Sequence, residues 1–142
     1  MPVMRRLLSL ALALTLAVVA TGCDREPRTV TVGVDGGSAT LAAGERLSVD
    51  FGEVNASIGD GWFLVESPDA AVLADDGEQY TSECDMPGCG AQLRWNFTGA
   101  AAGETRLVFQ YCYRSRPGDD GCTAEPSRGP ADPVTLTVTV TS

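Results

Sequence analysis

Residues 91–113 read AQLRWNFTGAAAGETRLVFQYCY, and two alternating patterns lie inside that stretch. Leu93, Trp95 and Phe97 share one face of its first half, and Leu107, Phe109, Tyr111 and Tyr113 share one face of its second. Apolar residues at every second position mark a half-buried β-strand, because successive side chains of an extended chain point to opposite sides. The small and polar TGAAAGE between them predicts a connection around Gly103.

The same period recurs outward from this pair. Val30, Val32 and Val34 alternate near the beginning, as do Leu47, Val49 and Phe51 in ERLSVDF, and PVTLTVTVT sets Val134, Leu136, Val138 and Val140 on one face with Thr between them. The apolar run from Trp62 through Val65 is denser and predicts a central strand buried on both faces. AAVLA at 70–74 and EQYTS at 78–82 read as two more short strands. Between them stands Asp75-Asp76-Gly77, and a similar string, Asp119-Asp120-Gly121, comes later. Asp-Gly is first of all a turn signal. No stretch beyond the leader carries capped helical periodicity. Seven or eight short strands in about 115 residues, rich in Val, Thr and aromatics, predict an all-β, immunoglobulin-like antiparallel β-sandwich. Trp62, Trp95 and Tyr111 are expected to fill the space between its sheets, each burying ~150 to 250 Å².

Residues 1–22 have the layout of an export signal: Arg5 and Arg6, an apolar run over 7–19, then Ala20, Thr21 and Gly22. The run falls short of the roughly 20 residues that span a bilayer. Cys23 follows at once, and the segment resembles a bacterial lipobox, whose cysteine is lipidated before cleavage. The expected organisation is therefore a signal peptide at 1–22, a lipidated Cys23 with a tether to residue 28, and a folded domain at 29–142. Such a protein is exported and held on the outer face of a membrane by its acyl chains. Removing the leader takes away two Arg and no acid, moving the formal net charge from −9 to −11. Nucleic acid and anionic headgroups are thereby disfavoured as partners, so contact with the membrane is expected through lipid alone. A monomer is expected.

The chain has no His. That excludes the Ser-His-Asp and Cys-His nucleophile systems and the usual zinc sites, and no enzyme activity, cofactor or metal is implied. With Cys23 lipidated, Cys84, Cys89, Cys112 and Cys122 remain. An even number in an exported domain implies two disulfides, for which three connectivities exist. The local pairs, Cys84 with Cys89 and Cys112 with Cys122, are the expected ones.

Three further strings stand in order along the chain: Asn55-Ala56-Ser57-Ile58-Gly59 with Trp62 three residues on, Gly88-Cys89-Gly90-Ala91, and Trp95, Phe97, Gly103, Leu107, Phe109 and Tyr111 at fixed spacing from Gly88. With them, from the second strand onward, the chain resembles the chagasin family, immunoglobulin-like inhibitors of papain-like cysteine proteases that insert three loops into the protease cleft. The family's first loop reads N-P-T-T-G with a Trp three residues beyond. Here Asn55-Ala56-Ser57-Ile58-Gly59 is followed by Trp62 in that register. The second loop, G-x-G-G, is matched by Gly88-Cys89-Gly90-Ala91, and Trp95, Phe97, Gly103, Leu107, Phe109 and Tyr111 follow at the family's spacing. The third loop departs from the pattern. Where the family places x-R-P-W after its Tyr, this chain has Cys112-Tyr113-Arg114-Ser115, with Arg116-Pro117 slightly later and Gly118 in place of an aromatic.

The resemblance implies that the chain binds a papain-like cysteine protease through Asn55, Ala56, Ser57, Ile58 and Gly59, through Gly88, Cys89 and Gly90, and through Tyr113, Arg114, Arg116 and Pro117. Ala56 and Ser57 would let backbone approach the protease cysteine, and the two glycines would allow unusual dihedrals. A non-inhibitory surface binding module on the same sandwich is the alternative.

Overall fold

The computed structural model describes residues 26–118 and 122–142, so the leader, Cys23 and the Asp119-Asp120-Gly121 string lie outside the described residues. Eight strands follow in chain order: β1 (Thr29–Gly33), β2 (Ser38–Ala42), β3 (Arg46–Val54), β4 (Asp60–Glu66), β5 (Leu73–Thr81), β6 (Ala91–Gly99), β7 (Gly103–Tyr113) and β8 (Val134–Thr141). They form two four-stranded sheets, β1-β3-β6-β5 and β2-β8-β7-β4, which is the expected all-β sandwich.

The core is built from the alternating faces seen in the sequence. Leu47 lies opposite Phe97 and Val49 opposite Trp95 in the first sheet, and Leu107 lies opposite Leu136 in the second. Leu47, Val49, Leu93, Phe97, Leu107, Phe109, Leu136 and Val138 are wholly excluded from solvent. Pairs of this kind stabilise each sheet because their side chains touch across adjacent strands, and the inner faces of the two sheets interdigitate to form the core. Phe109 is its aromatic centre: its ring centroid is 4.9 Å from Phe51, 5.8 Å from Trp95 and 6.4 Å from Phe97.

Three local features differ from the expectation. Ser38–Ala42, which gave no clear alternation, is a strand that crosses to the second sheet and pairs with β8; both β1 with β3 and β2 with β8 run parallel, while the remaining pairs are antiparallel. The run beginning at Trp62 belongs to β4, which is an edge strand with Val65 exposed. Its apolar density covers the open flank of the sandwich instead of a central position. AAVLA and EQYTS contribute to one strand, β5, and Asp75-Asp76-Gly77 is a bulge within it. The Asp75 carboxylate accepts the Gly77 N–H at 2.8 Å and Gly77 takes φ 88°, so the turn chemistry is spent on a kink and not on a reversal.

Candidate functional site

All three sequence-predicted loops leave the sandwich at one end. Val54 pairs with Ala91, Thr81 with Gln92, and Asp60 with Tyr113, which brings the exits of β3, β5 and β7 together.

The first loop is a single 3-10 turn, Ala56–Ile58. Asn55 caps it: its Oδ1 accepts the Ser57 N–H at 3.2 Å and the Ser57 hydroxyl at 2.6 Å. Asn suits this position because its short side chain folds back on the following N–H groups. The same side chain looks outward as well, its Nδ2 donating to the Gly88 carbonyl of the second loop at 2.8 Å. Ala56 and Ser57 stay exposed at the tip, and Ile58 is half-buried.

Gly59 closes the turn at φ 105° and carries the third loop against its backbone. The Arg114 N–H donates to the Gly59 carbonyl at 2.8 Å, and Arg114 Nε donates to the Ile58 carbonyl at 3.1 Å. A Cβ on Gly59 would come within 2.4 Å of Arg114 Cγ, so no larger residue fits without moving that loop. Arg114 itself is left-handed at φ 52°, a conformation of order 1 kcal/mol above the usual ones for a non-glycine residue and stabilised here by these two bonds.

The second loop is stapled by the disulfide between Cys84 and Cys89, as expected, with a Cα separation of 6.1 Å. Ser82 Oγ lies within hydrogen-bond distance of the carbonyls of Cys84 (2.9 Å) and Gly90 (3.1 Å), closing the base of that loop. Its two glycines serve different ends. Gly88 has φ 86°, whereas Gly90 lacks a positive φ and instead lies so close to Glu53 that a Cβ would meet that side chain at 2.7 Å. The expectation of unusual dihedrals therefore holds at Gly88 and not at Gly90.

In the third loop the second expected disulfide joins Cys112 to Cys122, and the Tyr113 N–H donates to the Thr123 carbonyl at 2.9 Å. Tyr113 is half-buried, with the guanidinium carbons of Arg114 and Arg128 lying 5.0 and 5.4 Å from its ring centroid. Arg116 is exposed, and Arg116 and Pro117 border a shallow patch with Phe63, Leu64 and Val65 of β4.

Asp60, which belongs to no motif, joins these parts. Its carboxylate accepts the Tyr111 hydroxyl at 2.6 Å, the Asn55 N–H at 3.0 Å and Arg128 NH1 at 3.2 Å, and the side chain is 8% exposed. Burial alone would raise its pKa. The Tyr111 hydroxyl, the Asn55 N–H and the Arg128 guanidinium together outweigh burial and hold it below the usual carboxylate value. Burial, with the same carboxylate, pushes the Tyr111 phenol well above its ordinary range.

Charge divides across this end. Arg114, Arg116 and Arg128 belong to the third-loop side, and Glu53, Glu83 and Asp85 to the second-loop side. Beside it, between edge strands β4 and β5, runs an open groove of about 750 Å³ lined by Trp62, Phe63, Tyr80 and Trp95, with Arg114 and Arg116 at its loop end. Trp95 thus both packs on the core and faces the groove, its Nε1 donating to Asp75 at 2.8 Å. Among the described residues no group of three potential metal ligands is gathered.

The β-sandwich thus ties three loops together at one end through the bonds from Asn55 to Gly88 and from Arg114 to Gly59. The chagasin family of peptidase inhibitors, I42, matches residues 40–125, and this chain belongs to that family. The fold agrees with two solved structures: the cysteine protease inhibitor EhICP2 from Entamoeba histolytica (15% identity, TM-score 0.57, covering 82% of this chain and 99% of that one) and amebosin (22% identity, TM-score 0.55, 81% and 99%). No curated protein matches the chain significantly.

Proposed function

We propose that this chain inhibits papain-like cysteine proteases by laying loop 55–59, loop 88–90 and loop 113–117 across the active-site cleft. The observation that carries this reading is the bonding between the loops, Asn55 to Gly88 and Arg114 to Gly59. Loops already held in one arrangement lose little conformational freedom on docking, so more of the contact energy appears as affinity. The chemistry is occlusion. A thiolate-imidazolium pair attacks a carbonyl presented in line, and a loop that fills the cleft without offering that geometry blocks the site and is not cut.

The exposed Ala56 and Ser57 form the part of the first loop that approaches the protease cysteine. In the third loop, Tyr113 with Arg114 takes over the anchoring left by the missing aromatic after Pro117. Aromatic and Arg side chains dominate the energy of many interfaces. In this reading the chain is exported and lipidated at Cys23, and it inhibits at a membrane surface as a monomer.

The test is inhibition of papain by the purified mature chain at micromolar concentration, with radioactive palmitate labelling of the native protein to follow the anchor. Tight, reversible inhibition and labelling lost in Cys23→Ala are expected. A chain that inhibits no papain-like protease would be a binding module instead, and labelling that survived Cys23→Ala would remove the anchor.

A further inference from the structure

Met86 sits on the disulfide-closed segment of the second loop and is the most exposed large hydrophobic residue among the described ones, at 72%; the other two, Val65 at 42% and Tyr80 at 47%, lie on the edge strands flanking the groove. It is not part of the hydrophobic core. The backbone that carries it, by contrast, is well held. The Cys84–Cys89 disulfide closes the loop, the Cys89 N–H donates to the Met86 carbonyl at 3.3 Å, and Asn55 holds Gly88 from the first loop. An apolar side chain kept in water on a rigid support gains its burial only from a partner.

We propose that Met86 is an apolar contact of the inhibitory face and that oxidation of its thioether by a peroxide switches that face off. The inference rests on the protease-inhibitor reading. In the reaction the sulfur loses two electrons and takes one oxygen atom from the peroxide, which is released as water. The product is a polar, chiral sulfoxide, poorly suited to an apolar contact, and methionine sulfoxide reductases reverse the change. The sequence isolates the site: the chain's methionines are Met1, Met4 and Met86, and the first two fall in the expected leader. The four domain cysteines are already paired in disulfides and do not compete as thiols.

The experiment treats the purified mature chain with hydrogen peroxide and removes the oxidant with catalase before protease is added, because the protease thiol is itself sensitive. Mass spectrometry confirms one added oxygen on the peptide holding Met86. The inhibition constant is expected to rise about tenfold, equivalent to ~1.4 kcal/mol, with an unchanged melting temperature, and to recover after joint treatment with the A and B reductases. Met86→Leu, which keeps an apolar side chain but has no sulfur, should give the same inhibition constant before and after peroxide, and Met86→Gln should imitate the oxidised form. Equal inhibition before and after confirmed oxidation would overturn the proposal, as would equal loss in Met86→Leu. Absence of inhibition by the untreated chain would overturn the inhibitor reading first and this inference with it, and is recognised before any oxidant is used.

Discussion

Asn55 and Gly88 are 33 residues apart in the chain and 2.8 Å apart in space, joined by a bond from the Asn55 amide to the Gly88 carbonyl. Because the other end of that amide caps the first loop, one side chain sets the shape of one loop and its distance from the next. Asn55→Asp keeps the acceptor and loses the donor. It is expected to raise the inhibition constant about tenfold, or ~1.4 kcal/mol, with little change in melting temperature. Asn55→Ala loses both functions and should in addition lower the melting temperature by about 3 to 5 °C, for a cap worth ~1 kcal/mol. Thermal unfolding and inhibition assays on the two variants separate the roles.

Ser57 is exposed at the tip of the same turn, so a bulky charge there should meet the protease and not the core. Ser57→Arg is expected to raise the inhibition constant at least about tenfold while the melting temperature moves by less than about 2 °C. Glu104 pairs with Thr139 near the start of β7, at the other end of the sandwich. Glu104→Arg should leave inhibition almost unchanged, and equal sensitivity at both ends would show that the loops are not the inhibitory surface.

Replacing Cys84 and Cys89 together by Ala opens the second loop but leaves the sheets intact. The expected loss of stability is about 2 kcal/mol, at the low end for disulfides because the closed loop is short. Inhibition should weaken by more than the fraction unfolded explains. Denaturant titration alongside inhibition at the same temperature measures both.

Asp60→Asn probes the hub between the loops. Since the folded-state pKa of Asp60 lies below the ordinary value of 3.8, its stabilisation is fully present above that value and is lost as pH falls through the folded value. The variant is expected to be less stable by about 2 kcal/mol at neutral pH, as befits hydrogen bonds to a charged group. The gap between the two proteins should narrow as pH drops below 3.8. Urea unfolding at a series of acidic pH values checks this, and a gap that stayed constant would mean the carboxylate charge is not what Tyr111, Asn55 and Arg128 stabilise.

The strands were legible in the sequence wherever a two-residue period bought a buried face, as in Leu93, Trp95 and Phe97 or Val134 through Val140. They were not legible where position in the sheet decided the outcome. The apolar run after Trp62 reads as central until β4 is seen at an edge, and Asp75-Asp76-Gly77 reads as a turn until the pairing of β5 with β6 continues past it. The loop residues could be named from local strings. Their connection could not, because Asp60 meets Arg128 across 68 residues and no periodicity marks a contact between two loop ends.

The parallel pairing of β1 with β3 also decides which way the loop end faces relative to the N-terminus. Thr29 lies beside Arg46 at the start of β3, whereas loop 55–59 follows Val54 at its finish. Residues 26–28, which lead into β1, and the three loops therefore lie at opposite poles, separated by the nine residues of β3, roughly 30 Å of extended chain at ~3.3 Å per residue. A chain fastened by its N-terminus would hold its loops outward like a lamp on a post, clear of the surface to which it is attached and open to enzymes arriving from solution.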